Sequence, residues 1–530
     1  MKPRHQMAVF GFFFFLYMLS TSREIPWNDA KLIFYTAESI VFRGELGIPA
    51  GPGIYSYAPH PILASLAHVP GVMIYKWIVD RWLGAWSMAK VITCHTGPAF
   101  FGALTCVLFL NTCLRLGVRR GVASLGTLLL GLGTFVWVYA RSPYSEIVQA
   151  ATFMGFVGSL VAFGEAPRRG TAFRVGFWAA LLLTSKLVFA LSLPGGLVFC
   201  LYRLRRDVKR FLSLVPVALA PLALGALTIA LHNRARLGPV APTGGMASTG
   251  YNVDAAVFAQ PLWEGVWGLL ASPGRSLLLY APPLVLSVFA ARRVWRLQPR
   301  VLGILVITVT PVFLLYAKFE SWSGDWAWGP RYMVPLVAPL LLPGVVYLDE
   351  VLQAARWAKR AWATLFVTLF GVSLFVQVVG NAFYWDHFIR ISQEARNNWL
   401  GDPNRSGSRG VRRPVGCDPC FEDFYPFQWL PAFQPIQGHY WLLKTVPFKT
   451  PWPEAALTAP WSRYTNLSVP IARSYPQVRV DWWLLQFWKP FRKASLILLV
   501  VLSAGTALSG AAWAWACRKP RVRFSSLPPV

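Results

Sequence analysis

Long apolar runs alternate along the chain with short clusters of Lys and Arg, and this alternation predicts a stack of membrane-crossing helices. Residues 7–21 are almost wholly apolar, with Phe12, Phe13, Phe14 and Phe15 in succession behind a basic start at Lys2 and Arg4. No Ala-x-Ala-like cleavage site follows, because Ser20-Thr21-Ser22-Arg23 leads straight into Glu24, so the segment reads as an uncleaved first span. Further spans are expected at 90–113, 121–140, 146–163, 175–185, 187–202, 211–231, 275–291, 301–317, 331–348, 361–380 and 494–516, twelve with the first. The yardstick is the ~20 apolar residues that a crossing helix needs. The 175–202 region is expected as two short helices turning near Thr184-Ser185-Lys186, since one continuous helix would export the basic cluster at 203–210.

Two stretches break the pattern. From Asp29 onward Leu32, Ile33, Ala37, Ile40 and Val41 share one helical stripe, while Lys31, Glu38 and Glu45 lie off it. That is the signature of an amphipathic helix lying along the membrane. Residues 59–79 are apolar but interrupted by Pro59, His60, Pro61, His68 and Pro70. Assigning them to the membrane surface puts the clusters around Arg119, Arg168, Arg205, Arg292, Arg360 and Arg518 all on the side of the N-terminus, as the positive-inside rule requires.

Composition agrees with an all-α polytopic membrane protein: 55% of residues are hydrophobic, 15% aromatic, and the mean hydropathy is +0.45 over 530 residues. A net charge of +29 would otherwise suggest nucleic acid, but the positive residues punctuate the apolar runs instead of forming one face. The expectation is a multi-pass protein of the cell inner membrane with both termini cytoplasmic. Its parts are a transmembrane domain at 1–381 with an outward first loop at 22–89, a small extracytoplasmic domain at 382–491, and a last span with a basic tail at 492–530. The 382–491 region is rich in Pro, Trp and Phe and includes a flexible-looking stretch from Asn404 to Gly410. Its Cys417 and Cys420 fit a local disulfide in an oxidising compartment, whereas Cys94, Cys106, Cys113 and Cys200 fall in spans as packing residues. A Gly-rich phosphate loop, a serine-hydrolase elbow and an HExxH motif are all missing from the sequence.

This topology collects a set of polar residues on the outward side. Asp29 and Glu146 each open a helix, where a carboxylate also serves as a cap or dipole partner. Lys186 sits at the turn between two short helices, a position equally suited to a snorkelling lysine. Arg275 and Arg331 precede spans on a face where positive charge is disfavoured, and a guanidinium there offers bidentate recognition of phosphate or carboxylate. The loop from Lys318 to Tyr332 also carries Asp325 and three tryptophans, Trp322, Trp326 and Trp328, of the kind an interfacial aromatic belt uses.

The acid of the first loop, Pro143-Tyr144-Ser145-Glu146, the run Ser272-Pro273-Gly274-Arg275 continuing to Tyr280-Ala281-Pro282-Pro283, and Trp328-Gly329-Pro330-Arg331-Tyr332 together resemble bacterial integral-membrane glycosyltransferases of the GT-C fold. That group includes the protein O-mannosyltransferases and the lipid A aminoarabinose transferases. The resemblance covers roughly residues 7–350 and rests on the order and sidedness of the motifs. It implies a sugar donor carried on a polyprenyl phosphate, an envelope lipid, glycan or protein as acceptor, and a catalytic centre at Asp29 with Glu146 as the second acid. It makes those two acids the candidate ligands for any divalent metal. Tyr57-Ala58-Pro59-His60-Pro61 occupies the place of a loop that commonly carries a basic residue, so His60 stands where a lysine or arginine is expected.

The chemistry also follows from the residues alone. Displacing a lipid phosphate from an anomeric carbon requires a base for the acceptor's proton and cations for the departing phosphate. Asp29 and Glu146 are the candidate catalytic pair, and His60, Lys186, Arg275, Asp325, Arg331 and Tyr332 the candidate substrate-binding set. The rival class is a transporter or lipid-carrier flippase, which would show charges midway along several spans and two related halves.

Overall fold

The computed structural model describes residues 3–25, 29–51, 54–58, 60–81, 86–237, 255–353, 356–400, 425–462 and 474–518. Apart from one short antiparallel hairpin, β1 (Ile48–Gly51) and β2 (Ile54–Ser56), the regular structure of these residues is helical. The first half contains α1 (Pro3–Leu19), α2 (Asp29–Arg43), α3 (Ile62–Leu66), α4 (Val69–Val79), α5 (Trp86–Cys94), α6 (Thr96–Arg115), α7 (Arg120–Gly133), α8 (Val136–Ala140), α9 (Ser145–Glu165), α10 (Arg169–Ser185), α11 (Leu193–Arg203) and α12 (Val208–Leu237). The second half contains α13 (Leu262–Ala271), α14 (Leu277–Tyr280), α15 (Leu284–Leu297), α16 (Pro299–Lys318), α17 (Val334–Val351), α18 (Arg356–Ala382), α19 (Trp385–Leu400), α20 (Tyr425–Trp429), α21 (Pro435–Thr445), α22 (Trp452–Leu457), α23 (Trp483–Phe487) and α24 (Arg492–Arg518).

Among the described residues eight helical stretches are long and apolar enough to cross a membrane: Ile62–Val79, Ser87–Arg115, Ser145–Glu165, Val208–Arg236, Pro299–Lys318, Arg331–Val351, Arg360–Ala382 and Arg492–Cys517. The chain is a polytopic helical membrane protein. Seven of these stretches are expected spans, and the eighth, Ile62–Val79, is the one assigned to the surface. It is broken at Ala67 and His68, and α4 packs on α2 and α5. The other expected spans are shorter or interrupted. The 121–140 run breaks at Thr134, between α7 and α8, where the Thr134 hydroxyl donates back to the Leu130 carbonyl. The 275–291 run is split by Pro282 and Pro283, which cannot continue the hydrogen-bond ladder of α14. The turn expected near Lys186 falls there: α10 ends at Ser185, Lys186 is extended, and a short 3-10 turn over Leu187–Ser192 leads into α11.

Helices α9 and α17 are apolar on every side and buried along almost their whole length, which makes them the axis of the bundle. By contrast α12 and α24 keep Leu212, Leu219, Leu224, Ile497, Val500 and Leu508 exposed, the surface a bilayer covers. α24 lies against α1 because Gly505 and Gly510 leave room for the rings of Phe15 and Phe12; a Cβ on Gly505 would come 2.7 Å from the Phe15 ring. A second, smaller core joins Phe383, Phe388, Phe427, Trp441, Leu442, Trp461 and Tyr475, while Trp385, Trp483 and Phe487 pack into the main one. Cys417, Cys420 and the stretch from Asn404 to Gly410 lie outside the described residues.

Candidate functional site

Several helix ends meet at one place. Asp29 opens α2, Glu146 lies in the first turn of α9, Lys186 follows the last residue of α10, and Arg331 stands just before α17. Each was picked out as an outward-facing polar residue at a helix boundary, and Arg331 draws them together. Its Nη1 lies 3.2 Å from Asp29 Oδ2 and its Nε 3.4 Å from Glu146 Oε1, so one guanidinium bridges both acids. The Glu146 side chain is 4% exposed, Arg331 11% and Asp29 28%, which leaves Asp29 as the acid most open to a ligand. His60 Nε2 lies 3.6 Å from the other Asp29 oxygen. The Ser145 hydroxyl donates to Glu146 Oε2 at 3.3 Å and itself accepts from Gln149 at 2.9 Å.

Aromatic rings wall the site. Tyr316 and Tyr332 stack with centroids 4.6 Å apart, and the Lys186 ammonium sits 5.4 Å and 4.8 Å from those centroids. The Arg331 guanidinium lies 5.2 Å from the Tyr332 ring and 5.7 Å from the Tyr144 ring, and Nη2 donates to the Tyr332 hydroxyl at 3.4 Å. Lys186 forms no ion pair among the described residues, whereas Arg331 forms two. An incoming anion therefore finds Lys186 as the cation not already matched by a carboxylate.

The loop before α17 owes its shape to backbone requirements. Gly324, Asp325 and Gly329 have φ of 84°, 52° and 66°, in the left-handed region that glycine and, among other residues, Asp or Asn tolerate best. A Cβ on Gly324 would fall 2.7 Å from the Arg331 Cβ, so this glycine allows the loop to fold back against Arg331. Arg275, expected to hold a phosphate, has another occupation. It is fully buried, and its guanidinium donates to the carbonyls of Asp325 at 2.7 Å, of Gly329 at 3.1 Å and of Ala327. Those bonds make it the internal clamp of the loop that presents Arg331. Trp322 and Trp328 are not an interfacial belt: both are buried, and the Trp328 carbonyl accepts from the Tyr139 hydroxyl at 3.1 Å. Trp328 packs against Tyr280 of α14 and Gly380 of α18, and Trp322 against Gly268 of α13 and Trp429 of α20.

The charges tune one another. Burial opposes ionisation of Asp29, but Arg331, with His60 and Lys186 behind it, holds the carboxyl below its usual value. Burial pushes the His60 imidazole below its usual value even though Asp29 and Glu146 pull the other way. Burial raises the Asp325 carboxyl to about 6 in spite of the nearby Arg331 and Arg275 guanidinium groups.

The donor set does not fit a divalent cation at Asp29 and Glu146. Both carboxylates face the same fixed guanidinium, and among the described residues no three His, Cys, Asp or Glu side chains come together in metal-ligating geometry. Two further residues of the site were not singled out from sequence: Tyr144 and Tyr316. Tyr144 follows directly from its place two residues before Glu146; Tyr316 carries no sequence signal beyond lying near the end of an apolar run.

Fold and site together define a multi-pass helical membrane protein with two acids bridged by one arginine where its helix ends converge. No protein-family model and no curated protein matches the chain. Among solved structures it is similar to ArnT from Cupriavidus metallidurans bound to undecaprenyl phosphate, at 15% identity over 96% of this chain and 78% of that one, with a TM-score of 0.48. The apo state of the same ArnT matches at 15% identity over 94% and 74%, TM-score 0.40. The Archaeoglobus fulgidus oligosaccharyltransferase in complex with Zn and sulfate matches at 11% identity over 73% and 55%, TM-score 0.38.

Proposed function

We propose that the chain is a GT-C-type membrane glycosyltransferase that moves a sugar from a polyprenyl-phosphate donor to an envelope lipid, glycan or protein acceptor on the extracytoplasmic face of a bacterial inner membrane. The observation that carries this reading is Arg331 held between Asp29 and Glu146, with Lys186 beside it. An acid exposed enough to meet an acceptor adjoins cations able to meet a phosphate, which is the pair of requirements set by the reaction.

In this reading the acceptor hydroxyl gives its proton to the Asp29 carboxylate while its oxygen forms a bond to the anomeric carbon. The bond from that carbon to the phosphate oxygen breaks, its electron pair stays on the phosphate, and polyprenyl phosphate departs. Lys186 and Arg331 stabilise the charge that develops there. Glu146 keeps Arg331 in place, Tyr332 hydrogen-bonds its guanidinium, and Asp325 and Arg275 shape the loop behind it. His60 stands beside Asp29, its Nε2 3.6 Å from the carboxylate, and walls that side of the site. No step requires a metal ion.

The reading is tested with the purified protein in nanodiscs, a panel of radiolabelled polyprenyl-phosphate sugars, and envelope lipid and glycan as acceptors. Consumption of one donor with release of polyprenyl phosphate supports it. Movement of the intact carrier across liposome bilayers with no donor consumed would replace it with the flippase reading. The ion pairs of the described residues speak against a flippase: apart from Lys90–Glu38, which joins α5 to α2, they sit at or near helix ends or in the turns between helices and not midway along spans.

A further inference from the structure

A second buried ion pair lies outside the site and is not used by the proposed reaction. Arg141, in the turn after α8, and Asp481, just before α23, are both almost fully buried, with Nη2 3.0 Å from Oδ2. The Arg141 guanidinium also donates to Asn381 at the end of α18, through both its carbonyl and its side-chain oxygen. The other Asp481 oxygen accepts from the Ser22 hydroxyl at 2.7 Å and from the Arg23 amide at 3.0 Å. The Asp481 amide donates to the Ala382 carbonyl at 2.8 Å, and the Trp482 and Trp483 indoles donate to the Leu19 carbonyl. Asp481 and Arg141 together thus gather the chain just after α1, the turn after α8 and the end of α18.

Two of these segments lead into the site. The chain held at Ser22 and Arg23 is the one that continues to Asp29, and the chain held at Arg141 runs through Tyr144 to Glu146. Tyr144 adds a cross-tie, its hydroxyl 3.2 Å from that of Tyr384 and its ring under Arg331. We infer that Asp481, through Arg141, is a positioning residue that sets where Glu146 and the approach to Asp29 stand relative to Arg331. The inference rests on the glycosyltransferase reading only for its kinetic consequence. Displacing a reacting group by about 1 Å costs on the order of a hundredfold in rate.

The test compares wild type with Asp481→Asn, Asp481→Glu and Arg141→Lys in nanodiscs, reading turnover per folded molecule, donor KM and hydrogen exchange of peptides containing Ser22 and Tyr144. Asp481→Asn is expected to lower kcat about a hundredfold with donor KM nearly unchanged, and to speed exchange in both peptides but not in α10 or α12. Asp481→Glu is expected to recover part of the rate. Lower thermal stability with unchanged kcat per folded molecule, or faster exchange only around residues 475–487, would overturn the inference. If wild type transfers no sugar while both peptides lose protection as expected, the positioning claim stands and the transferase reading falls.

Discussion

Replacing Arg331 with Gln removes the positive charge that Asp29 and Glu146 share. At separations of 3.2 Å and 3.4 Å, each attraction is worth about 5 kcal/mol at an effective dielectric constant of about 20. Much of that gain is offset by the desolvation of the three groups, and breaking a buried pair costs about 3–5 kcal/mol net because a carboxylate is left without its partner. Glu146, the more buried acid, bears most of this penalty, so adding Glu146→Gln to Arg331→Gln should restore roughly half the lost stability. Activity should fall about 10²–10³-fold, the usual loss when a donor to a developing oxyanion is removed. The pH profile should move as well. In wild type the Asp29 carboxyl is held below its ordinary value, so its contribution to stability is present above the unfolded-state value and lost as pH falls through the folded one. Without Arg331, burial dominates, the carboxyl rises, and the acid limb of the rate profile shifts to higher pH. Thermal unfolding in nanodiscs, donor turnover and a pH series from about 4 to 8 read all three effects. An Arg331→Gln protein with wild-type stability and turnover would refute the bridging role.

Asp325→Asn keeps a residue that tolerates the left-handed backbone but removes a carboxyl raised from 3.8 to about 6. Because the folded value is above the unfolded one, the charged form penalises the fold, so the variant should be more stable above pH ~6 by about 3 kcal/mol, with the gain fading toward pH ~4; melts showing the same gain at pH 8 and pH 4 would contradict this. Arg275→Met should cost about 1–3 kcal/mol for each of the carbonyls of Asp325, Ala327 and Gly329 left unpaired. Intact stability with a raised donor KM would instead return Arg275 to the phosphate. Chelation with EDTA should leave the transfer rate unchanged, whereas a rate abolished by EDTA and recovered with a divalent cation would show that a metal displaces Arg331 from the acids.

The helical, membrane-crossing character of the chain was readable in the alternation of apolar runs and basic clusters, because bilayer thickness imposes a length that any helix must meet. Breaks inside the runs were less visible. Thr134 and the Pro282-Pro283 pair interrupt helices without changing the hydropathy around them, while at Lys186 the basic cluster downstream forced a turn that the structure also has. At the site, Asp29, Glu146, Lys186 and Arg331 announced themselves as charges at the ends of apolar segments, a costly placement that stands out in one dimension. Arg275 carries the same signal and yet serves the loop's carbonyls, since sequence reveals a buried guanidinium without revealing its acceptors. Arg141, in the turn before Glu146, carries the same signal of a charge between apolar segments. Asp481 lies in a region without periodicity, and its link to Ser22 joins opposite ends of the chain, so only the folded structure brings the two together.

Sugar transfer by wild type and by Asp29→Asn, side by side in nanodiscs with the same polyprenyl-phosphate donor and both shown folded by thermal unfolding, tests the central claim most directly. The account predicts that Asn, nearly isosteric but unable to take a proton, abolishes transfer while the donor still binds. An Asp29→Asn protein that transfers sugar at the wild-type rate would contradict it.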